Sequence, residues 1–233
     1  MTPTPRPISD ESSYLQLRNE IITGKLMPNQ RLVETELAKL LDTSRATVRL
    51  VLLRLEYEGL VVREPNRGAH VRLIDEREAL EITEARKALE TLAASRAAIM
   101  ANDDDISEIK VIHDEMVKNY ENGDLMAYSD TNRRLHARVI EASRHVTVAR
   151  MLAELKAQLV RFQYRTVLVP GRAQKSLAEH TALVNAIIAH DPDAAAEAMS
   201  HHLDGVTAAL MKAATTKFNY PLNEFIASPM EEA

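Results

Sequence analysis

The 233-residue chain contains no cysteine and no tryptophan. It therefore has no disulfide, no thiolate metal site and no thiol nucleophile, and a cysteine-free chain suits a reducing compartment. Glycine is scarce, at 6 residues, and aromatics make up 4%, which favours helices over a large β-sandwich. No apolar run reaches the roughly 18 residues of a membrane span. The opening MTPTPRPISD lacks the apolar core of a secretory signal, so the expectation is a soluble cytoplasmic protein. What is present is a composition 45% hydrophobic and 27% charged, enough apolar material for a packed core. At roughly 100–200 residues per domain, the length allows one or two domains.

A formal net charge of −5 excludes a uniformly basic nucleic-acid binder. The charge is unevenly spread, however. Residues 1–74 carry 11 Lys+Arg against 9 Asp+Glu, and the rest carries 18 against 25. The first part is the one suited to a polyanion.

Residues 1–11 are read as a flexible arm. A helical pattern follows from Ser12 to Thr23 and ends at Gly24. A second helix is expected over Glu34 to Leu41 and a third over Arg45 to Glu58, where Val48, Leu52 and Leu55 form a stripe of helical spacing. Asp42-Thr43-Ser44 between them is a short polar break with N-capping chemistry. Two β-like runs, 60–63 and 69–73, flank a hairpin tip at residues 64–68. Three helices and a hairpin, with a tight turn between the second and third, make a winged helix-turn-helix over residues 12–74. Asp75–Glu78 is a charged junction. Beyond it come six helical segments, about 77–101, 104–121, 126–142, 147–167, 173–189 and 192–215, then a tail at 216–233. The expected fold is mainly α: a winged helix-turn-helix followed by an antiparallel all-helical bundle over 77–215.

Arg45 and Arg49 are spaced i, i+4 and share one helix face, beside Thr43, Ser44 and Thr47. That is the end a recognition helix inserts into the major groove, and an arginine fork can bind guanine or phosphate bidentately. Arg67 and Gly68 at the hairpin tip reach toward a neighbouring phosphate or the minor groove. On spacing alone, the alternative is that both arginines solvate the outer face, paired with Glu34, Glu36 or Asp42. Residues Glu36-Leu37-Ala38, Ser44-Arg45-Ala46-Thr47-Val48-Arg49, Leu55-Glu56-Tyr57-Glu58-Gly59-Leu60-Val61 and Pro65-Asn66-Arg67-Gly68-Ala69 resemble the GntR family of bacterial regulators. The resemblance implies that Arg45, Arg49 and the wing glycine contact operator DNA. Thr35 stands where many members carry a further DNA-contacting arginine.

At 100° per residue, His136 points inward with Asn132 one turn away, His180 with Leu177, Leu183, Val184 and Ile187, and His202 with Ala195, Met199, Val206 and Ala209. A lone inward histidine is usually a satisfied core residue. Three on three helices can instead hold Zn, Ni, Co, Mn or Fe with one oxygen ligand. Asn132-Arg133-Arg134-Leu135-His136, Ala178-Glu179-His180, His202-Leu203 and Arg86-Lys87-Ala88-Leu89-Glu90 resemble the FCD effector domain of FadR-type GntR regulators. The resemblance implies a divalent metal on Asn132, His136, His180 and His202 that helps bind a small carboxylate effector. Here Asn132 replaces the usual Asp, Leu135 a Phe, and Arg144-His145 a Gly-Asn pair. Arg86, at the edge of an apolar stripe, needs an anion: either Glu90 or the effector. Tyr164 and Arg165 are further candidates for the pocket, with Arg161 beside them.

The expectation is a homodimeric repressor that binds operator DNA and responds to a small organic acid. The alternatives are a metal-responsive repressor, a structural metal stapling the bundle, and a metal-dependent hydrolase. The hydrolase lacks a general base, because no Glu or Asp is expected to join the histidine faces.

Overall fold

The structure is a computed structural model of the chain, and it describes residues 10–64, 68–159, 162 and 166–215. Arg67, Arg161, Tyr164, Arg165, residues 1–9 of the expected arm and the tail at 216–233 lie outside the described residues. The chain divides into two compact units, the first ending at Ile74 and the second starting at Asp75.

The first unit is built from α1 (Asp10–Ile22), β1 (Arg31–Leu32), α2 (Glu34–Leu40), α3 (Arg45–Tyr57), β2 (Val61–Glu64) and β3 (Gly68–Val71). Asp10 and Glu11, expected in the arm, form the first turn of α1. Asp42 adopts a left-handed conformation (φ 46°) in the turn between α2 and α3. Ser44 then caps α3, its hydroxyl accepting the Thr47 N–H at 3.1 Å. Gly59, at φ 72°, supplies the positive φ that stops the helix. Val48, Val51, Leu52 and Leu55 of α3 are buried together with Leu17 of α1, Leu37 of α2 and Val61 and Val71 of the hairpin. Each such side chain contributes about 1.5–3 kcal/mol on burial. The strands run β1-β3-β2, all antiparallel, with Leu32 opposite Ala69 and Glu64 opposite Gly68.

The second unit contains α4 (Glu76–Met100), α5 (Asp103–Glu121), α6 (Leu125–Ala142), α7 (Val146–Gln158), α8 (Arg172–Ile188) and α9 (Pro192–Thr215). Its helix starts follow capping chemistry. Asp75 accepts the Glu78 N–H, Asn102 and Asp105 form a reciprocal capping box, and Asp191 accepts two N–H groups behind Pro192. The core runs along α4, α5, α6, α8 and α9, with Ile109, Met116, Tyr128, Leu135, Leu183, Ile187, Met199 and Leu203 fully buried. α7 is held by a separate small cluster: Val148 and Leu152 against Ala93 and Ile140.

One expected helix is corrected. The run 147–167 is not continuous, because α7 ends at Gln158, where Leu159 leaves helical geometry and its N–H bonds back only three residues to Lys156. No glycine or proline marks this stop in the sequence. Among the described residues no helix is long and apolar enough to cross a membrane.

Candidate functional site

In the first unit, α3 presents Arg45 and Arg49 on its outer face. Both are 58% exposed, and both reach one carboxylate of α2: Arg49 Nε donates to Glu34 at 2.9–3.0 Å and Arg45 Nη2 at 3.3 Å. Arg49, and then Arg45, hold the Glu34 carboxyl below its ordinary value against the opposing effect of burial. Of the three acidic partners the sequence offers, the structure selects Glu34. Exposed pairs of this kind are weak and exchange readily for a phosphate. Ser44, exposed, caps α3, Thr47, half-buried, stands on its first turn, and Thr43 precedes the cap. Gly68 opens β3 on the wing, at φ 85°.

In the second unit, α6, α8 and α9 bring His136, His180 and His202 together. One nitrogen from each ring lies within 4.8 Å of the others. The Nε2 atoms of His136 and His180 are 3.0 Å apart, and the ring centroids of His180 and His202 are 4.1 Å apart. All three rings are buried.

Each Nδ1 is held from behind. His136 Nδ1 lies 2.6 Å from Glu90 Oε2, His202 Nδ1 lies 2.8 Å from Glu179 Oε2, and His180 Nδ1 lies 3.3 Å from Ser176 Oγ. An Nδ1–H donated to these oxygens leaves each Nε2 lone pair for the space the rings share, the arrangement metal-ligating imidazoles use. Burial, reinforced by the other imidazoles, holds His180 and His202 well below their ordinary value of 6.5. Burial also lowers His136, outweighing the pull of Glu90 in the other direction. The rings are neutral near pH 7, the form that binds a metal.

Asn132 lies one turn before His136 on α6, and its Oδ1 is buried without a hydrogen-bond partner among the described residues. A buried amide oxygen of this kind costs free energy unless something occupies it. Three neutral imidazoles and a spare carbonyl oxygen are a donor set suited to a divalent transition ion.

Behind the rings lie two ion clusters. Glu90, fully buried, receives Arg86 at 2.8–2.9 Å on one oxygen, and His136 and Lys156 (3.0 Å) on the other. Its burial alone favours the protonated form, but Lys156, Arg86 and His136 together hold the carboxyl well below its ordinary range. Arg172 pairs with Glu179 at 2.8 Å, and its Nη1 has no hydrogen-bond partner among the described residues. The pair fits against Gly205 of α9, where an added Cβ would stand 2.8 Å from Glu179 Oε1 and 3.2 Å from Arg172 Nη2.

One sequence reading is overturned here, and one of two alternatives gains a contact. Arg86 takes Glu90 as its partner, yet that pairing is itself part of the histidine network. Carboxylates do join the histidine faces, contrary to expectation: Glu90 crosses from α4 and Glu179 meets His202 across α8 and α9. Lys156, Arg172 and Ser176 carry no sequence signal of their own. Arg67, Tyr164 and Arg165 lie outside the described residues.

Known proteins share this organisation. Residues 11–71 match the bacterial regulatory proteins of the gntR family, and residues 81–205 match the FCD domain. Over 208 residues the chain is 24% identical to the HTH-type transcriptional repressor RspR of Escherichia coli strain K12, covering 89% of this chain and 90% of that protein. It is 24% identical over 204 residues to the HTH-type transcriptional regulator YdfH of E. coli O6:H1, covering 87% and 89%. The solved structure of E. coli McbR/YncC has the same fold, with a TM-score of 0.74 at 21% identity over 87% of this chain and 97% of that one. A winged helix-turn-helix joined to an FCD domain places the chain in the GntR family of DNA-binding transcription regulators, which are not enzymes.

Proposed function

We propose that the chain is a repressor whose hold on operator DNA is set by a small carboxylate bound with a divalent metal inside the helical domain. Ser44, Arg45, Thr47 and Arg49 of α3, with Thr43 before it and Gly68 on the wing, make the DNA contacts. Asn132, His136, His180 and His202 hold the metal, which supplies Lewis-acid attraction for a carboxylate. Arg86 orients that carboxylate. Repression is the polarity of the similar protein RspR, which is named a repressor. A homodimer matches a two-fold operator.

The observation that carries this reading is the disposition of polar atoms around the three rings. Each Nδ1 has a partner behind it, and the buried Oδ1 of Asn132, one turn before His136, has none among the described residues. A purely structural histidine core would satisfy its own polar atoms. Regulation follows if the effector binds the DNA-competent and DNA-incompetent states unequally.

Fluorescence anisotropy on the gene's own upstream DNA tests the reading, comparing wild type with an Arg45→Ala/Arg49→Ala double variant across a salt series. Expected are saturable, salt-sensitive binding that the variant loses, and release of the DNA by organic acids. If no organic acid shifts the affinity while metal alone does, the protein is a metal-responsive repressor instead.

A further inference from the structure

In the network around the histidines, the groups that retain solvent exposure are Arg86, Asn132 and Lys156, whereas the rings, Glu90, Glu179, Arg172 and Ser176 are buried. The Arg86 side chain is 14% exposed and that of Lys156 28%. The groups of the network that reach solvent are therefore two cations and a neutral amide. Lys156 reaches it from α7, a helix that supplies none of the imidazoles and is anchored by its own small apolar cluster.

Lys156 is the second cation on Glu90, which Arg86 alone would neutralise. One of the Glu90 oxygens already takes the Arg86 fork and the other the imidazole of His136. Among the described residues of this network, Glu90 sits between Arg86 and Lys156, and Glu179 balances Arg172. One positive charge is left over, and Lys156 is the most exposed cation of the three. A divalent ion held by three imidazoles and an amide gains no compensating charge from its ligands, because Asn132 is neutral where an Asp would not be. The site is then more positive than a monocarboxylate can offset, and an interior surplus of one sign calls for the opposite charge from a ligand. Lysine is suited to the role: a point charge on a flexible stem can leave Glu90 for an incoming anion.

We propose that Lys156 binds the second carboxylate of a small dicarboxylate effector whose first carboxylate lies beside the imidazoles and Arg86. This rests on the metal-and-carboxylate reading above and narrows its ligand class. It also gives α7 a direct link to the effector, through exchange of the Lys156–Glu90 pair for a Lys156–effector pair.

The test is calorimetric titration of the full-length, Zn²⁺-loaded protein with acetate, malonate and succinate at constant ionic strength, as wild type, Lys156→Met and Lys156→Arg. Wild type is expected to bind at least one diacid about tenfold more tightly than acetate, the ratio that one added ion pair of moderate strength provides. Lys156→Met is expected to bring that ratio below about threefold, and Lys156→Arg to restore it. A merely structural lysine would weaken acetate and diacid alike, because the ratio compares two ligands on one protein. An unchanged ratio in Lys156→Met, or equal losses for all three acids, overturns the assignment and leaves the carboxylate site standing. No binding of any acid to wild type overturns both.

Discussion

The Nδ1 of His136 is held by Glu90, 2.6 Å away on a carboxylate with no exposed surface. Arg86 and Lys156 meet the same carboxylate, so Glu90 both fixes the ring and neutralises buried charge. Glu90→Gln keeps an oxygen for the His136 N–H but strips the shared negative charge. Metal affinity should fall about 10–100-fold. Stability should fall by on the order of 3–5 kcal/mol, because the cations are left without their partner. Metal titration beside urea denaturation measures both. An unchanged metal affinity would show that Glu90 does not support the ring.

Acid should destabilise the metal-free protein in two separate windows. His180 and His202, and less strongly His136, are held below 6.5 by burial. Below about pH 6.5 the unfolded chain takes up protons at these positions that the folded chain refuses, so stability rises with pH across that window and falls on acidification. Each histidine contributes a slope of about 1.4 kcal/mol per pH unit. The stability contributed by Glu90 is fully present above its ordinary value of 4.5 and is lost only below it. Urea midpoints of chelator-treated protein should therefore drop between pH 7 and pH 5, above the range in which Glu90 titrates. A flat profile over that range contradicts the burial of neutral rings.

Gly205 should not tolerate a methyl group. Gly→Ala inside a helix ordinarily gains about 1 kcal/mol. Here the new Cβ would meet Glu179 and Arg172 at 2.8 and 3.2 Å. Gly205→Ala should lower the melting temperature and loosen the hold of Glu179 on His202, weakening metal binding by about tenfold. A stabilised Gly205→Ala protein with full metal affinity would show that the pair moves aside freely.

Glu34 holds both of the α3 arginines that are proposed to contact DNA. Glu34→Gln loosens that hold and removes one negative charge beside the phosphates. Operator affinity should rise about three- to tenfold at low salt, with the gain shrinking as salt increases. Anisotropy titrations of both proteins at several salt concentrations check this. Weaker binding by Glu34→Gln would mean that the carboxylate orients the arginines productively.

Helical periodicity is enough to turn His136, His180 and His202 inward and to identify α3 as the helix that presents Arg45 and Arg49. It fails where partners come from another element. Glu179 sits 100° around α8 from His180, so a face drawn through His180 omits it. It meets His202 only because α8 packs on α9 beside Gly205. Lys156 is hidden for a different reason: no breaker residue marks the end of α7, so the face it presents cannot be fixed from sequence. β1 is too short, at two residues, to show alternation. Glu90 is legible as a neighbour of Arg86, but its bond to His136 depends on how α4 packs against α6.

The part of the metal in effector sensing is tested most directly by comparing the release of operator DNA by small organic acids from metal-loaded and metal-stripped wild-type protein. Anisotropy of labelled DNA gives the midpoint of release in each case. Release is expected from the loaded protein at acid concentrations that leave the stripped protein bound. Equal midpoints for the two forms would contradict it, because the imidazoles, Asn132 and their ion would then have no part in reading the effector.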